Sequence, residues 1–280
     1  PVLRALLRAP KGRVGAALVA IVIVTVVVGP LLASSGPETI VNGPFLSSSD
    51  GAGLFGTDVL GRDTLSRFLH GGRVILLLSL AAAAAGVAVG TALGVFAGYV
   101  KGWPGTVVMR ALDILLCFPA LVLTLLIASM VGTSLLLVGA VVALSHVPRT
   151  ARIINTATLQ LADRDFVGYA ESIGISRTRV MSDELLPNLT SSIALEFGLR
   201  TTWSVATIAS LSYIGLGVQP PAADWGLMIN ENQLALTFQP WPVVLPVVAI
   251  CVATIGINLL TDVYSQNVAG IDNVVRDATA

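Results

Sequence analysis

Charged residues are scarce in this sequence. Asp, Glu, Lys and Arg make up 11% of the 280 residues, whereas about a quarter is usual in soluble domains. Basic and acidic residues number 16 each, so no net charge is available to attract nucleic acid. Mean hydropathy is +0.86, and several apolar runs reach the ~20 residues that cross a bilayer core. The composition therefore predicts an all-α, polytopic membrane protein.

Cysteine and histidine are also rare. Cys117 and Cys251 lie within apolar runs without a nearby Cys or His, so we expect two small buried residues and no disulfide or metal site. His70 and His146 are far apart and near opposite membrane faces, which also argues against a metal site, and His70 is predicted to be a polar interface residue. No Gly-rich Walker sequence is present, so we expect no ATP hydrolysis, catalytic residue or cofactor in this chain.

Six apolar segments are candidate membrane spans, each near a bilayer thickness at the rise of an α-helix. The first is expected to be an uncleaved signal anchor. The spans are 14–34, 74–99, 106–131, 134–152, 191–213 and 241–262. They leave the tails 1–13 and 263–280, an extracytoplasmic segment 35–73, and a five-helix core 74–262 that includes the loop 153–190 and the outer segment 214–240.

The distribution of Lys and Arg predicts the orientation, because cytoplasmic loops keep the positive charge. Eleven basic residues fall on the side of both termini and of the loop 153–190, and three fall on the other side. The eleven are Arg4, Arg8, Lys11, Arg13, Lys101, Arg149, Arg152, Arg164, Arg177, Arg179 and Arg276, and the three are Arg62, Arg67 and Arg73. We therefore expect both termini in the cytoplasm.

Two further arginines lie within spans, each with an acid at helical spacing. These are Arg110 with Asp113, and Arg200 with Glu196. Charges inside a membrane are candidates for function, and a structural ion pair facing other helices explains them equally well. A voltage sensor is not favoured, because no repeated Arg pattern occurs.

Glycines recur at every fourth position of the second span. Spacing of this kind places them on one helix face, where another backbone can approach closely. Packing within this chain is the favoured interpretation, and packing against a second membrane subunit is the alternative. The glycines are Gly86, Gly90, Gly94 and Gly98.

The predicted outer side carries two polar segments. Residues 56–61 have turn chemistry, and Asp63 is a plausible cap of a short interfacial helix. That helix would have an apolar stripe of Leu65, Phe68 and Leu69, with Arg62 and Ser66 elsewhere around it. Between the fifth and sixth spans, irregular backbone is expected to form a docking or gating surface, with a re-entrant structural cap as the alternative. The predicted docking or gate residues are Gly215, Gly217, Pro221 and Trp225, and Pro220 also breaks the regular structure there. Trp225 and Trp241 are also expected at the membrane interface.

The stretch "YAESIGISRTRVMSDELLPNL", residues 169–189, is polar and interrupts the apolar spans. Phe166, Ala170 and Ile173 share one face of a short helix, which Gly174 can end in the left-handed conformation. Ser176 is a candidate cap of a second short helix through Leu186, and Pro187 would end it. The pattern predicts a compact projection with an apolar ridge and a charged rim formed by Arg177, Arg179, Asp183 and Glu184.

This stretch, together with "GTDVLGRDTLSRFLHGGRV" and "GLGVQPPAADWGLMI", resembles the permease subunits of binding-protein-dependent ABC importers. The resemblance is to the dipeptide, oligopeptide and nickel branch, of the DppC/OppC type, and covers roughly residues 54–267. The loop motif of this family reads EAA, three residues, Gly, nine residues, Ile, one residue, Leu-Pro. Ala170, Gly174, Leu186 and Pro187 match the motif. Gly168 and Tyr169 replace its Glu and first Ala, and Glu184 replaces its Ile, so the family's Glu contacts do not transfer.

The resemblance implies a transport machine in a bacterial or archaeal cell membrane. Its expected partners are a second homologous permease, two subunits that bind ATP and Mg, and an extracytoplasmic substrate-binding protein. The expected ATPase-coupling residues are Ala170, Glu171, Ile173, Gly174, Ser176, Arg177, Leu186 and Pro187. Polar positions of the fifth span are candidates for the translocation path, namely Thr201, Thr202, Ser204 and Thr207.

The resemblance favours dipeptides or short oligopeptides as the substrate, and nickel or another small solute is the alternative for the same machinery. A different class, an autonomous channel or ion-coupled transporter, would depend on intramembrane ionisable groups such as Asp113, Glu196 and Arg200. A non-transporting scaffold or sensor fits less well, because no soluble sensory or enzymatic domain is evident.

Overall fold

The computed structural model describes residues 9–51, 53–100, 102–131 and 134–279. In these ranges the regular structure is helical, and the β pairings are two isolated bridges, Ile40 with Arg62 and Thr57 with Asp63. The long helices are α1 (Pro10–Leu32), α2 (Thr64–Tyr99), α3 (Trp103–Leu116), α4 (Ala120–Val131), α5 (Leu135–Ala162), α6 (Asp165–Ser172), α7 (Thr190–Tyr213), α8 (Trp225–Asn232) and α9 (Trp241–Thr279). Arg4, Arg8 and Lys101 of the charge argument lie outside the described residues.

Helix α2 is the central element of the bundle. Its 36 residues give a length of about 54 Å at the usual helical rise. Asp63 caps it as predicted, because its Oδ2 accepts a hydrogen bond from the Ser66 amide at 2.8 Å. The helix starts at Thr64 and does not stop before the apolar run. The separate interfacial helix predicted there is therefore wrong, since nothing between Leu65 and Val74 breaks the helix.

The glycine face of α2 packs against α5 within this chain. A Cβ at Gly90 would lie 2.9 Å from the carbonyl oxygen of Val147, and one at Gly94 would lie 2.7 Å from that of Ala151. Gly86 and Gly98 meet α5 in the same way. The intrachain interpretation is confirmed, because only glycine allows the two backbones to approach this closely.

The predicted span 106–131 is not one straight helix. It consists of α3 and α4, whose axes bend by 84° at the break between them. Pro119 lies at this break and has no backbone N–H to continue the helical ladder, and it also disfavours helical backbone at Phe118. The span 106–131 was predicted from hydropathy averaged over a window of residues. Such an average does not detect a single helix-breaking proline.

Four helices are long and apolar enough to cross a membrane, or five if the bent pair α3 and α4 is one span. These four are α1, α2, α5 and the part of α9 up to Gln266. Helix α7 has 24 residues and packs between α2, α5 and α9, but it does not meet this criterion. It carries Glu196 and Arg200 as well as several hydroxyl side chains. A six-span topology and its orientation therefore stay predictions.

Helix α1 contains a proline near its end, at Pro30. Since proline lacks an N–H, the Val26 carbonyl has no helical donor. Arg73 of α2 donates to this carbonyl from Nε at 3.1 Å. One of the three arginines in the orientation argument thus also fastens α1 to α2.

The two cysteines are free and exposed on the surface of this chain. The prediction that both are buried is therefore wrong. An apolar run contains residues on every side of a helix, so membership of the run does not indicate which side faces the bundle. Cys117 lies at the break between α3 and α4, and Cys251 lies on α9.

Candidate functional site

The helical loop, residues 163–189, begins with α6 and a sharp corner at Gly174. Gly174 has φ +81°. Its amide donates to the Glu171 carbonyl at 3.0 Å, and the Ile175 amide donates to the Ala170 carbonyl at 3.1 Å. This pair of bonds is the Schellman motif, which needs a left-handed residue and favours glycine. The predicted Gly174 corner is confirmed.

The apolar face of α6 differs from the predicted one. Ala170 is 3% exposed and Val167 is 1% exposed, and both pack into the bundle. Phe166, Tyr169 and Ile173 are 38%, 67% and 58% exposed and share the opposite face by their i, i+3 and i+7 spacing. The ridge predicted from Phe166, Ala170 and Ile173 is therefore corrected. Tyr169 takes the place of Ala170 on the exposed face, because Ala170 is buried in the apolar cluster that also contains Tyr99 and Ile154.

The second half of the helical loop does not end at Pro187. Residues Arg177–Arg179 form a helical turn, Val180–Leu185 form a π-helix, and Leu186–Asn188 lead into α7. Ser176 precedes the turn but makes no side-chain capping bond. Pro187 is tolerated in the first turn after the π segment, where its missing N–H has little cost. The helical loop is thus joined to α7 through one bent helical path.

The helical loop is fastened to the end of α2 that lies farthest from Thr64. The Tyr99 hydroxyl donates to Glu171 Oε1 at 2.6 Å. Val180, Leu185 and Leu189 are buried in one apolar cluster with Tyr99 and other residues of α2 and α5. Of the other predicted coupling residues, Ser176, Arg177 and Pro187 are exposed, and Leu186 is partly buried. The helical loop thus packs against α2 and α5 and is continuous with α7.

The four polar path candidates lie on different sides of α7. Thr201 is 7% exposed and Ser204 is 0% exposed, and the Ser204 hydroxyl lies 2.8 Å from His146 Nε2 on α5. Thr202 is partly buried and bonds to the Gly198 carbonyl. Thr207 is partly buried and lines a cavity beside α5. Thr201 lines a separate cavity between α1, α2 and α7, and the path role of each residue stays a prediction.

The two intramembrane ion pairs have different surroundings. Arg200 Nε lies 3.0 Å from Glu196 Oε2, both side chains are buried, and the Thr150 hydroxyl also donates to Glu196. The pair therefore packs α7 against α5, as the structural interpretation requires. Asp113 is bonded more closely to Arg152 of α5 than to Arg110, which is 3.8 Å away. Sequence spacing missed Arg152, since it lies on another helix.

A charge cluster lies at the opposite end of the bundle, between α2 and a cap formed by residues 35–63 and 214–240. Arg62 Nε is 2.6 Å from Asp58 Oδ2, and Arg62 Nη2 is 2.8 Å from Glu231 Oε2. Arg67 Nη2 lies 2.9 Å from the same Glu231 oxygen, and Arg67 Nε lies 3.4 Å from Asp58. All four side chains are at most 12% exposed. Sequence reasoning placed both arginines outside the protein core and missed the cluster.

The remaining predicted cap residues have unequal exposure. Gly215 has φ +89° and is open to its surroundings, Pro221 is exposed, and Gly217 is buried against Ser212. Trp225 is 0% exposed. Its ring stacks on Phe68 at a centroid distance of 5.7 Å, and its Nε1 donates to the Phe68 carbonyl. The prediction that Trp225 lies at a membrane interface is therefore wrong.

Asp224 begins α8 and is completely buried. Its Oδ1 accepts hydrogen bonds from the amides of Gly226 at 3.0 Å and Leu227 at 3.2 Å. Burial raises the pKa of the Asp224 carboxyl, and the bonds from these amides oppose that rise. The carboxyl serves as a helix cap that orients α8 and the adjoining charge cluster.

Comparison with known proteins identifies the class. Residues 90–270 match the family described as binding-protein-dependent transport system inner membrane component. The chain belongs to this family and is a permease subunit of an ABC importer, a multi-pass protein of the cell membrane. Membership implies a substrate-binding protein and ATPase subunits as partners.

Individual relatives are similar over most of their length. The glutathione transport system permease protein GsiD of Pectobacterium atrosepticum is 36% identical over 207 residues, which are 74% of this chain and 69% of the relative. The protein of the same name from Escherichia coli is 35% identical over 225 residues, covering 80% and 73% of the two chains. The Shigella boydii protein is similar to the same extent.

Proposed function

We propose that this chain and a second homologous permease form the translocation path of an ATP-driven importer for short peptides. The helical loop carries the proposal, because it combines an exposed apolar face, a rigid Gly174 corner and a helical path into α7. The relatives are named for glutathione, which is itself a tripeptide. This supports the dipeptide and oligopeptide branch, of the DppC/OppC type.

The orientation follows from the charges of the helical loop. Arg164, Arg177 and Arg179 are all exposed, as expected of a loop on the positive, cytoplasmic side. We place the cap outside, where the substrate-binding protein would dock against exposed residues such as Gly215 and Pro221. Six spans, with α7 as the fifth and both termini in the cytoplasm of a bacterial or archaeal cell, complete this topology.

The geometry suggests how ATP hydrolysis in the partner subunits moves this chain. Phe166, Tyr169 and Ile173 would insert into a groove of an ATPase subunit, which binds ATP and Mg. Closure of the two ATPases would pull the helical loop, and the bent helical path would transmit the displacement to α7 and its neighbour α5. The permease thus alternates between two conformations that the partner's nucleotide state biases.

Replacing Gly174 with valine should uncouple transport from ATP hydrolysis. Valine is strained at φ +81°, at a cost of roughly 1–3 kcal/mol, so the corner should open and misplace the exposed face of α6. The site is open, with no atom within 4 Å of a Cβ, so the bundle should still fold. We expect substrate uptake by the reconstituted complex to fall roughly 5- to 150-fold at this cost, while ATP hydrolysis continues.

Gly168→Val provides the matched control. Gly168 is also in α6, and a Cβ there also meets no atom within 4 Å, but its backbone is ordinary helix. This variant should retain coupled uptake. Normal uptake by the Gly174→Val complex would show that the corner does not couple the subunits.

The substrate class is tested by the ligand that the binding protein retains. We expect mass spectrometry of the binding protein co-purified with this permease to reveal a dipeptide or short oligopeptide, glutathione among the candidates. The complex reconstituted in liposomes should import that peptide only when ATP is present on the side of the ATPase subunits. A bound nickel ion, or uptake by this chain alone without ATP, would instead favour the alternative solute or the secondary transporter.

A further inference from the structure

A cavity of 340 Å³ opens between α5, α7 and the break between α3 and α4. Most of its wall is apolar, with leucines, Phe118 and Trp203. Four polar side chains share the wall, three from α5 and one from α7. They are Ser145, His146, Arg149 and Thr207. A mostly apolar cavity with a few convergent polar groups is the usual form of a small-molecule site.

Arg149 is the charged group of this cavity. It lies near the middle of α5, directly before Thr150, whose Cβ packs against Gly90 of α2. Arg149 therefore lies where the apolar run of α5 ends, and not at the end of the helix itself. A guanidinium that lines a mostly apolar cavity needs water or an anion beside it.

No carboxylate in the described part of the chain pairs with Arg149. The two acids nearest along these helices already have partners, since Glu196 binds Arg200 and Asp113 binds Arg152. Arg149 is nevertheless exposed and faces the cavity. The cavity thus contains a cation to which none of the described residues supplies a counter-charge.

His146 supplies a second, independent sign of a binding site. It is 3% exposed and lies one helical turn before Arg149 on the same face of α5. Its Nε2 is bonded to Ser204, while its Nδ1 has no hydrogen-bond partner among the described residues. An unsatisfied buried polar atom is costly, and here it lies beside an unpaired charge.

We propose that Arg149 binds a carboxylate of the transported peptide inside this cavity, while the apolar wall receives the peptide's side chains. This inference rests on the proposed function and assigns a residue and a ligand group to its path. The planar guanidinium can bind a carboxylate through two parallel hydrogen bonds. The site would select peptides over nickel or another cation, because a cation would be repelled by Arg149.

The charge of the cavity can be measured through Cys117, which is exposed and lines the same wall. In the assembled complex with Cys251→Ser, an anionic methanethiosulfonate should label Cys117 roughly tenfold faster than a cationic one of similar size, because a fixed charge attracts opposite charge. Arg149→Gln should abolish this preference, and Arg149→Lys should keep it. Arg110→Gln, at an exposed arginine of another surface pocket, should leave it unchanged.

Uptake supplies the second arm of the test, with glutathione and dialanine as probes. Arg149→Gln should lower uptake of a transported probe roughly tenfold or more, the value of a charge-assisted hydrogen bond. Arg149→Lys should recover most of it. Stimulation of ATP hydrolysis by the loaded binding protein should persist in both variants, since the helical loop is unaltered.

The outcomes separate the two proposals. If Cys117 reacts with neither reagent, or shows no preference for the anionic one, the carboxylate site is wrong. Unchanged uptake by Arg149→Gln would also overturn it. If the wild-type complex imports neither probe but Cys117 retains its anionic preference, the peptide function fails and the anion-binding cavity stands.

Discussion

Replacing Gly94 with valine should separate α2 from α5 and lower the stability of the whole permease. A Cβ at this position would lie 2.7 Å from the Ala151 carbonyl oxygen and 2.9 Å from Ile154 Cβ. These atoms belong to the body of α5, so relief requires the two helices to move apart. Overpacking costs about 1–3 kcal/mol, and we expect the upper end. Thermal unfolding in detergent should show Tm lowered by about 6–12 °C.

Ala92→Val is the matched control for this prediction. Ala92 is on the same helix but is exposed on the surface of the chain, so the same valine meets no α5 backbone there. Its Tm should stay close to that of the wild type. Equal Tm values for both variants would mean that the glycine face is not what holds α2 against α5.

Replacing Glu231 with alanine should loosen the cap from the bundle. The Glu231 carboxylate pairs with both Arg62 and Arg67. Without it two buried guanidinium groups share one carboxylate, Asp58. Removing one partner of a buried ion pair costs about 3–5 kcal/mol. We expect a loss of this size in the free energy of unfolding, with faster hydrogen exchange in the cap before global unfolding.

A double variant distinguishes lost pairing from lost packing. Arg67→Ala with Glu231→Ala leaves Asp58 and Arg62 as a balanced pair, so it should be less destabilised than the sum of the two single variants. Glu38→Ala, at an exposed carboxylate of the same cap, should change stability little. Strict additivity of the single variants would contradict the role of charge balance in the cluster.

Local signals in the sequence predicted several features correctly, because their causes are local. The Asp63 cap, the Gly174 corner and the glycine face of α2 each depend on the backbone needs of one or two residues. The family resemblance likewise depended on short motifs. In each case the local backbone geometry requires a particular residue type. The residue types and their spacing were therefore enough to predict the feature.

Features that depend on distant partners could not be predicted in this way. Arg62 and Glu231 are 169 residues apart, and no periodicity links them. Trp225 was wrongly assigned to a membrane interface. Its burial could not be predicted, because Phe68, which covers its ring, belongs to another helix. The exposed face of α6 was misassigned for a related reason. A short helix with apolar residues on two sides does not indicate which side packs inward.

The π segment at Val180–Leu185 determines the rotational phase between the helical loop and α7. Each residue added to or removed from an α-helix turns its far end by about 100°, and a π turn contains one residue more than an α turn. Shortening this segment by one residue would make it regular, but it would also rotate the Gly174 corner around the axis of α7 by about that angle. The number of residues between Gly174 and Thr190 is thus as much constrained as their identity, since it sets the direction in which the exposed face of α6 points relative to α7.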